Sequence, residues 1–275
     1  VWEWQSERLV LRCKGSEEDA WCFHPDGQHF FLIHQASIQV YDLHTGQKIR
    51  QSQDNFKRAF IGLSPDGQTL TVWGPGRPLT IHHPVSFEIQ ETVPVGDDVI
   101  FASWKSDSQE LWISTAGKDV LVWRPQGRQL SKVSYGPHEP ARMIRFDSQG
   151  RILALSGSSR TRLVNLFTNC EMMVFTGEAL RIDSQKAHVI VKRDHQLLLD
   201  ELIPADCFHQ WKRSVAYAEF SPSGRWLALS SDRGVELLDC ESLRVESDLG
   251  VDPSGPAIWS PSEDELITYG IFSHI

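Results

Sequence analysis

The 275-residue sequence has no apolar run approaching the roughly eighteen residues of a membrane-spanning helix. Helical periodicity is equally hard to find along the chain, which argues against helix bundles and coiled coils. Cysteine is scarce. Its five positions, Cys13, Cys22, Cys170, Cys207 and Cys240, form an odd set without a CxxC pair, so a disulfide framework is not expected and reduced thiols in a cytoplasmic protein are. Positive charge is in deficit, with 27 Lys and Arg against 36 Asp and Glu and a net charge of -9, which speaks against general nucleic-acid binding. Linker-like and low-complexity stretches are missing as well, so one domain over residues 1–275 is expected. No signal-peptide pattern is present, but Val1 is not an initiator methionine and a removed targeting segment stays open.

What the chain does have is a repeat. Seven apolar anchors are each followed by a turn-forming group: Phe23-His-Pro-Asp-Gly, Leu63-Ser-Pro-Asp-Gly, Trp104-Lys-Ser-Asp-Ser, Phe146-Asp-Ser-Gln-Gly, Ile182-Asp-Ser-Gln, Phe220-Ser-Pro-Ser-Gly and Trp259-Ser-Pro-Ser. The intervals are 40, 41, 42, 36, 38 and 39 residues. A period near forty describes a small sheet that cannot bury its apolar surface alone and must stack on its neighbours. A second mark keeps the same period: Tyr41-Asp42, His82-His83, Trp123-Arg124, Val164-Asn165, Leu199-Asp200 and Leu238-Asp239, each expected to end a third strand.

One unit shows the pattern in full. Alternating apolar and polar residues predict strands over 214–220, 225–230, 235–238 and 243–247, separated by Pro-Ser-Gly, Asp232-Arg-Gly and Cys240-Glu-Ser turns. The Pro-Asp-Gly type of turn presets one φ and supplies a glycine that accepts positive φ, as a tight hairpin requires.

In period and in its Ser-Pro-Asp-Gly-like turns the whole chain resembles the WD-repeat family. The Trp-Asp dipeptide stands in no repeat in its usual form, with Tyr41-Asp42, Leu238-Asp239 and Trp2-Glu3 nearest to it, and the Gly-His pair is reduced to Gly136-Pro-His138. Apolar packing is therefore expected to replace the family's buried polar network. The resemblance implies an all-β, seven-bladed β-propeller of four-stranded antiparallel blades around a channel. The segment 1–11 aligns with 40–50, so the chain is expected to open on a third strand, with the last blade closed by strands from both termini. A start inside a blade also leads us to expect a domain cut from a longer polypeptide.

Catalytic signals are weak. Gly157-Ser-Ser lacks the surroundings of a nucleophile elbow, and Gly74-Pro-Gly76 reads as a turn with no helix to receive an anion. Among eleven histidines no HExxH or Cys/His ligand spacing occurs. The adjacent His82 and His83 point to opposite faces of a strand and so should not share a metal. His24, His29, His34 and His44 are expected in turns and exposed strand positions. No catalytic residue, metal or cofactor is assigned.

A binding surface remains. The loops leading into the first strands carry Asp54-Asn-Phe-Lys-Arg58, Asp97-Asp98, His138-Glu139 with Arg142, Glu178 with Arg181, and Trp211-Lys-Arg213. Trp, Tyr and Arg combine large contact area with polar ends, so Arg58, Arg142, Trp211, Arg213 and Tyr217 are the candidates for contact with a protein or peptide. The residue before each anchor reads Cys22, Gly62, Ser103, Arg145, Arg181, Glu219 and Ile258. Three charges in succession predict an internal ion pair, and a small-anion site, if one exists, at Arg145 and Arg181. The leading expectation is a non-catalytic interaction scaffold, a sensor or regulatory domain within a larger signalling protein whose other domains are among its partners. The alternative is a propeller enzyme of hydrolase or lactonase type with its site at the channel mouth.

Overall fold

The computed structural model describes residues 1–3, 8–9, 20–133, 140–168, 170–183, 188–193, 196–201, 209–211, 215–231, 234–240, 244–249, 257–263 and 265–268. Six antiparallel sheets each take four consecutive strands. Blade 1 comprises Ala20–Phe23, His29–His34, Ser37–Asp42 and Lys48–Gln51. Blade 2 comprises Phe60–Leu63, Leu70–Gly74, Arg77–His82 and Ile89–Thr92. Blade 3 has Val99–Trp104, Leu111–Thr115, Val120–Arg124 and Gln129–Val133. Blade 4 has Met143–Phe146, Ile152–Ser156, Arg160–Asn165 and Cys170–Thr176. In blade 5 the strands are Glu178–Asp183, His188–Arg193, Gln196–Glu201 and His209–Trp211. In blade 6 they are Val215–Phe220, Trp226–Ser231, Gly234–Asp239 and Arg244–Asp248, each boundary within one residue of the sequence expectation.

The expectation of seven equivalent blades is corrected. Beside the six full blades lies a small extra sheet of Ala257–Trp259, Glu265–Thr268, Trp2–Glu3 and Arg8–Leu9. There Trp2–Glu3 pairs through two residues with each neighbour, Trp2 opposite Leu266 and Leu9, Glu3 opposite Glu265 and Arg8. A complete blade pairs its middle strands over as many as six residues, as in His29–His34 against Ser37–Asp42.

Burial is deepest in the middle strands of the blades. The fourth strands of blades 1 and 2 are largely exposed, whereas Leu70–Gly74 and Leu111–Thr115 are buried along their whole length. These second strands are covered on both faces by neighbouring blades, whereas first strands such as Ala20–Phe23 are only partly buried. Apolar clusters occupy the junctions. Ile38 and Val72 sit in the cluster between blades 1 and 2, Trp73 and Trp123 between blades 2 and 3, and Trp112 and Leu153 between blades 3 and 4. Leu163 and Val189 join blades 4 and 5, and Leu197 and Leu229 join blades 5 and 6. Leu237 meets Leu266 of the small sheet, and Ile267 of that sheet meets Phe30 of blade 1. Burying each such leucine or isoleucine contributes about 1.5–3 kcal/mol.

Buried indoles add directional bonds. Trp104 donates from Nε1 to Thr71 Oγ1 of the preceding blade at 2.8 Å, and Trp259 donates to the Glu219 carbonyl at 3.1 Å. The hairpin turns after the first strands also stack around one end of the molecule. Gly67 has φ +70°, and a Cβ there would come within 2.7 Å of the His24 ring in the preceding turn. Glycine is required twice over, by backbone conformation and by close approach.

Candidate functional site

First strands of successive blades contact one another, which places them around the central axis. The register position before each anchor therefore brings Arg145, Arg181 and Glu219 onto adjacent inner strands of blades 4, 5 and 6. Arg181 pairs through Nη2 with Glu219 Oε1, an ion pair that bridges blades 5 and 6. Glu219 is 6% exposed. Arg145 does not share this pair, and the Nε atoms of both arginines are buried with no hydrogen-bond partner among the described residues. Burial, reinforced by the charge of Arg145, draws the Arg181 guanidinium down to about 9, so it remains cationic at neutral pH. Burial likewise lowers Arg145, opposed by the charge of Glu178.

A cavity of about 710 Å³ opens beside this pair. Its wall includes Arg181, Asp183, Glu219, Phe220, Ser223 and Trp259. These residues belong to first strands and the turns that follow them, so the cavity lies at the hairpin-turn end of the axis. Of the residues expected from sequence, Arg181 of the small-anion pair lies in this wall, whereas the protein-contact candidates do not. The missed signal was the Ser221-Pro-Ser223 turn of blade 6, where Ser223 replaces the acidic residue that Asp26 and Asp66 supply in blades 1 and 2.

At the loop end the candidates are dispersed. Arg58 is exposed, with φ 55°, just before the first strand of blade 2. Phe60, two residues on and 47% exposed, is an aromatic that the sequence reading overlooked. The Asp54–Arg58 loop is braced from blade 2 by Arg77, which donates to the Asn55 carbonyl at 2.7 Å and lies over the Phe56 ring. Arg142 is exposed before the first strand of blade 4. Tyr217, 40% exposed, follows a bulge in the first strand of blade 6, and Lys192 Nζ stands 5.4 Å from its ring centre. Two placements are corrected: Trp211 ends the outermost strand of blade 5 opposite Leu197, and Arg181 lies within a first strand rather than in the loop before it. Arg213, His138 and Glu139 lie outside the described residues.

Histidines divide by environment. His82 is buried, its Nδ1 donating to the Phe87 carbonyl at 2.8 Å and its Nε2 2.8 Å from Thr80 Oγ1, whereas His83 is exposed and accepts from Val85 and Ser86 amides. Opposite faces rule out a shared ligand. The first hairpin turn brings together a set not paired from sequence: Asp26 Oδ2 lies 3.0 Å from His24 Nδ1 and 2.6 Å from His29 Nδ1. Two imidazoles and a carboxylate are chemically suited to a divalent transition metal. Here the carboxylate already serves both rings. Burial opposes ionisation of Asp26, but the Gln28 amide, the His29 ring and the two histidine charges hold its carboxyl below the usual range. Burial pushes the Cys22 thiol up to about 12, against a backbone hydrogen bond from Leu63, while Cys170 is exposed.

The fold is that of a β-propeller. Among solved structures it is similar to the β-propeller domain of Cps50 (Swd1) from Myceliophteria thermophila, with a TM-score of 0.76 at 12% identity over 96% of each chain. At that identity the likeness is one of fold. No family model matches the sequence. Among the described residues no helix is long and apolar enough to cross a membrane.

Proposed function

We propose that residues 1–275 form a divergent WD-repeat-like domain that acts as a non-catalytic scaffold for proteins or peptides. The observation that carries this reading is the presence of aromatic and cationic groups together at the loop end, exposed Arg58 two residues before exposed Phe60, and exposed Tyr217 with Lys192 Nζ 5.4 Å from its ring centre. Such side chains are common binding anchors, and a repeat fold holds them with little ordering cost on association. Partners include other domains of the same polypeptide, in a cytoplasmic signalling or regulatory role. Affinity capture with wild type against an Arg58→Ala, Tyr217→Ala double variant tests the reading: selective loss of partners supports it, and identical partner sets remove the surface from consideration.

The cavity supports a second reading, a hydrolase or lactonase acting at the axis, since Asp183, Glu219 and Arg181 meet there. Turnover of an ester or lactone panel, abolished by Glu219→Gln in protein that remains folded, would favour that class over the scaffold.

A further inference from the structure

We propose that the cavity at the hairpin-turn end of the axis binds a small organic oxyanion, a carboxylate or phosphate monoester carrying an apolar body. This site is separate from the loop surface proposed for protein contact. Its charge balance comes from named groups. Arg181 is neutralised by Glu219 across the blade 5 and blade 6 junction, whereas Arg145, one blade back, adds a second cation without an ion-pair partner among the described residues. Glu178 acts on Arg145 only at longer range. Asp183 also borders the cavity, and a Cβ on Gly224 would lie 3.2 Å from its Oδ2, which sets this carboxylate against the blade 6 turn.

Both Nε–H donors are buried and have no hydrogen-bond partner among the described residues. A buried donor without a partner costs about 1–3 kcal/mol, and guanidinium groups match the planar or tetrahedral oxygens of carboxylate and phosphate in a two-pronged fashion. An anion received by the accessible part of the Arg181 guanidinium would offset the surplus charge of the two arginines. The remaining wall is suited to the body of such a molecule. Phe220, Ile258 and Trp259 supply apolar surface, and the cavity volume of about 710 Å³ falls within the range of small-ligand sites, about 300–1,000 Å³. Ser223 and Gln149 add neutral donors at the turn end. The single strong anion position, with carboxylates close by, favours one oxyanion head over a polyphosphate chain.

The test is titration of the 275-residue protein with inorganic phosphate, phenyl phosphate and benzoate at constant ionic strength, read by calorimetry and by fluorescence of Trp259, which lines the site. Phenyl phosphate or benzoate should bind at least about tenfold more tightly than inorganic phosphate, a difference of about 1.4 kcal/mol. Arg181→Gln should weaken the best probe tenfold or more. Glu219→Gln, which removes a competing carboxylate while keeping both arginines, should tighten it. Arg128→Ala, an exposed arginine of blade 3, should change nothing. Stronger phenyl phosphate than benzoate binding identifies a phosphate source, and the reverse a carboxylate. If Arg181→Gln fails to fold, the Glu219→Gln comparison decides alone. The absence of millimolar binding by every probe, binding unchanged in Arg181→Gln, or binding weakened in Glu219→Gln would overturn the proposal.

Discussion

Replacing Glu219 by glutamine keeps its volume and removes its charge, leaving half-buried Arg181 without its counter-charge one blade from the half-buried cation Arg145. Two unit charges about 4 Å apart interact by about 4 kcal/mol at an effective dielectric constant of 20. Breaking a buried pair by deleting one partner costs about 3–5 kcal/mol. The Arg181 side chain keeps 27% of its surface accessible through the cavity, so water recovers part of that loss and about 3 kcal/mol is expected. With about 2 °C of Tm per kcal/mol for a chain of this size, the midpoint should fall by about 6 °C. Urea unfolding in phosphate-free buffer supplies the free energy, and the Arg181→Met, Glu219→Leu double variant supplies the control. Two apolar residues of similar volume should return stability to within about 1 kcal/mol of wild type, since a buried ion pair contributes little net stability over apolar packing. A Glu219→Gln protein within about 0.5 kcal/mol of wild type, or a double variant no more stable than the single one, would refute the charge argument.

Gly67 and Gly76 separate two roles of glycine. Both have positive φ, but a Cβ at Gly67 would strike the His24 ring while one at Gly76 meets nothing within 4 Å. Gly76→Ala should cost about 1 kcal/mol, the backbone penalty alone, and Gly67→Ala about 2 kcal/mol; equal losses in urea unfolding would contradict the stacking of turns. His82 gives a pH dependence. Burial and the charge of Arg77 lower its pKa against the opposing Phe87 carbonyl and Asp54 carboxylate, so it is neutral when folded. The unfolded chain takes up the proton first as pH falls below about 6.5. Its contribution is therefore complete above that pH and declines on acidification, by at most about 1.4 kcal/mol per pH unit. His82→Asn should flatten the fall in urea midpoint between about pH 6.5 and 4.5, and an unchanged slope would argue against a neutral buried imidazole.

The strands were legible because two chemical marks recur in phase. The anchor and turn fix the first hairpin, and the later pair fixes the end of the third strand: Tyr41-Asp42, Trp123-Arg124 and Leu238-Asp239 all stand where that strand finishes. Extent was not legible. The segment 1–11 carries the pattern of 40–50, yet its described pairing is confined to Trp2–Glu3 and Arg8–Leu9, since side-chain pattern reports which way a residue faces and not how far a ladder continues. Trp211 was misplaced for a related reason. The strand His209–Trp211 begins eight positions after Gln196–Glu201 ends, a wider spacing than between the third and fourth strands of the other blades, so the fourth strand falls on residues that a fixed period assigns to the next loop.

The charged cluster was legible from register alone, because a position repeated on every first strand must return to the axis in every blade. The cavity beside it was not, and the difference is instructive about where function can hide in a repeat fold. Arg145, Arg181 and Glu219 are equivalent by sequence position, so comparing units finds them. The cavity wall joins unlike positions instead: Arg181 within one strand, the Phe220 anchor of the next blade, Ser223 in its turn and Trp259 of the small sheet. Repetition predicts what recurs, whereas a pocket in a repeat protein depends on what changes from one unit to the next. Here the changes are two arginines where earlier units have Cys22, Gly62 and Ser103, and a serine in the turn where earlier units have aspartate. At that register position the two arginines outnumber the single Glu219 carboxylate, in a chain that is acidic as a whole.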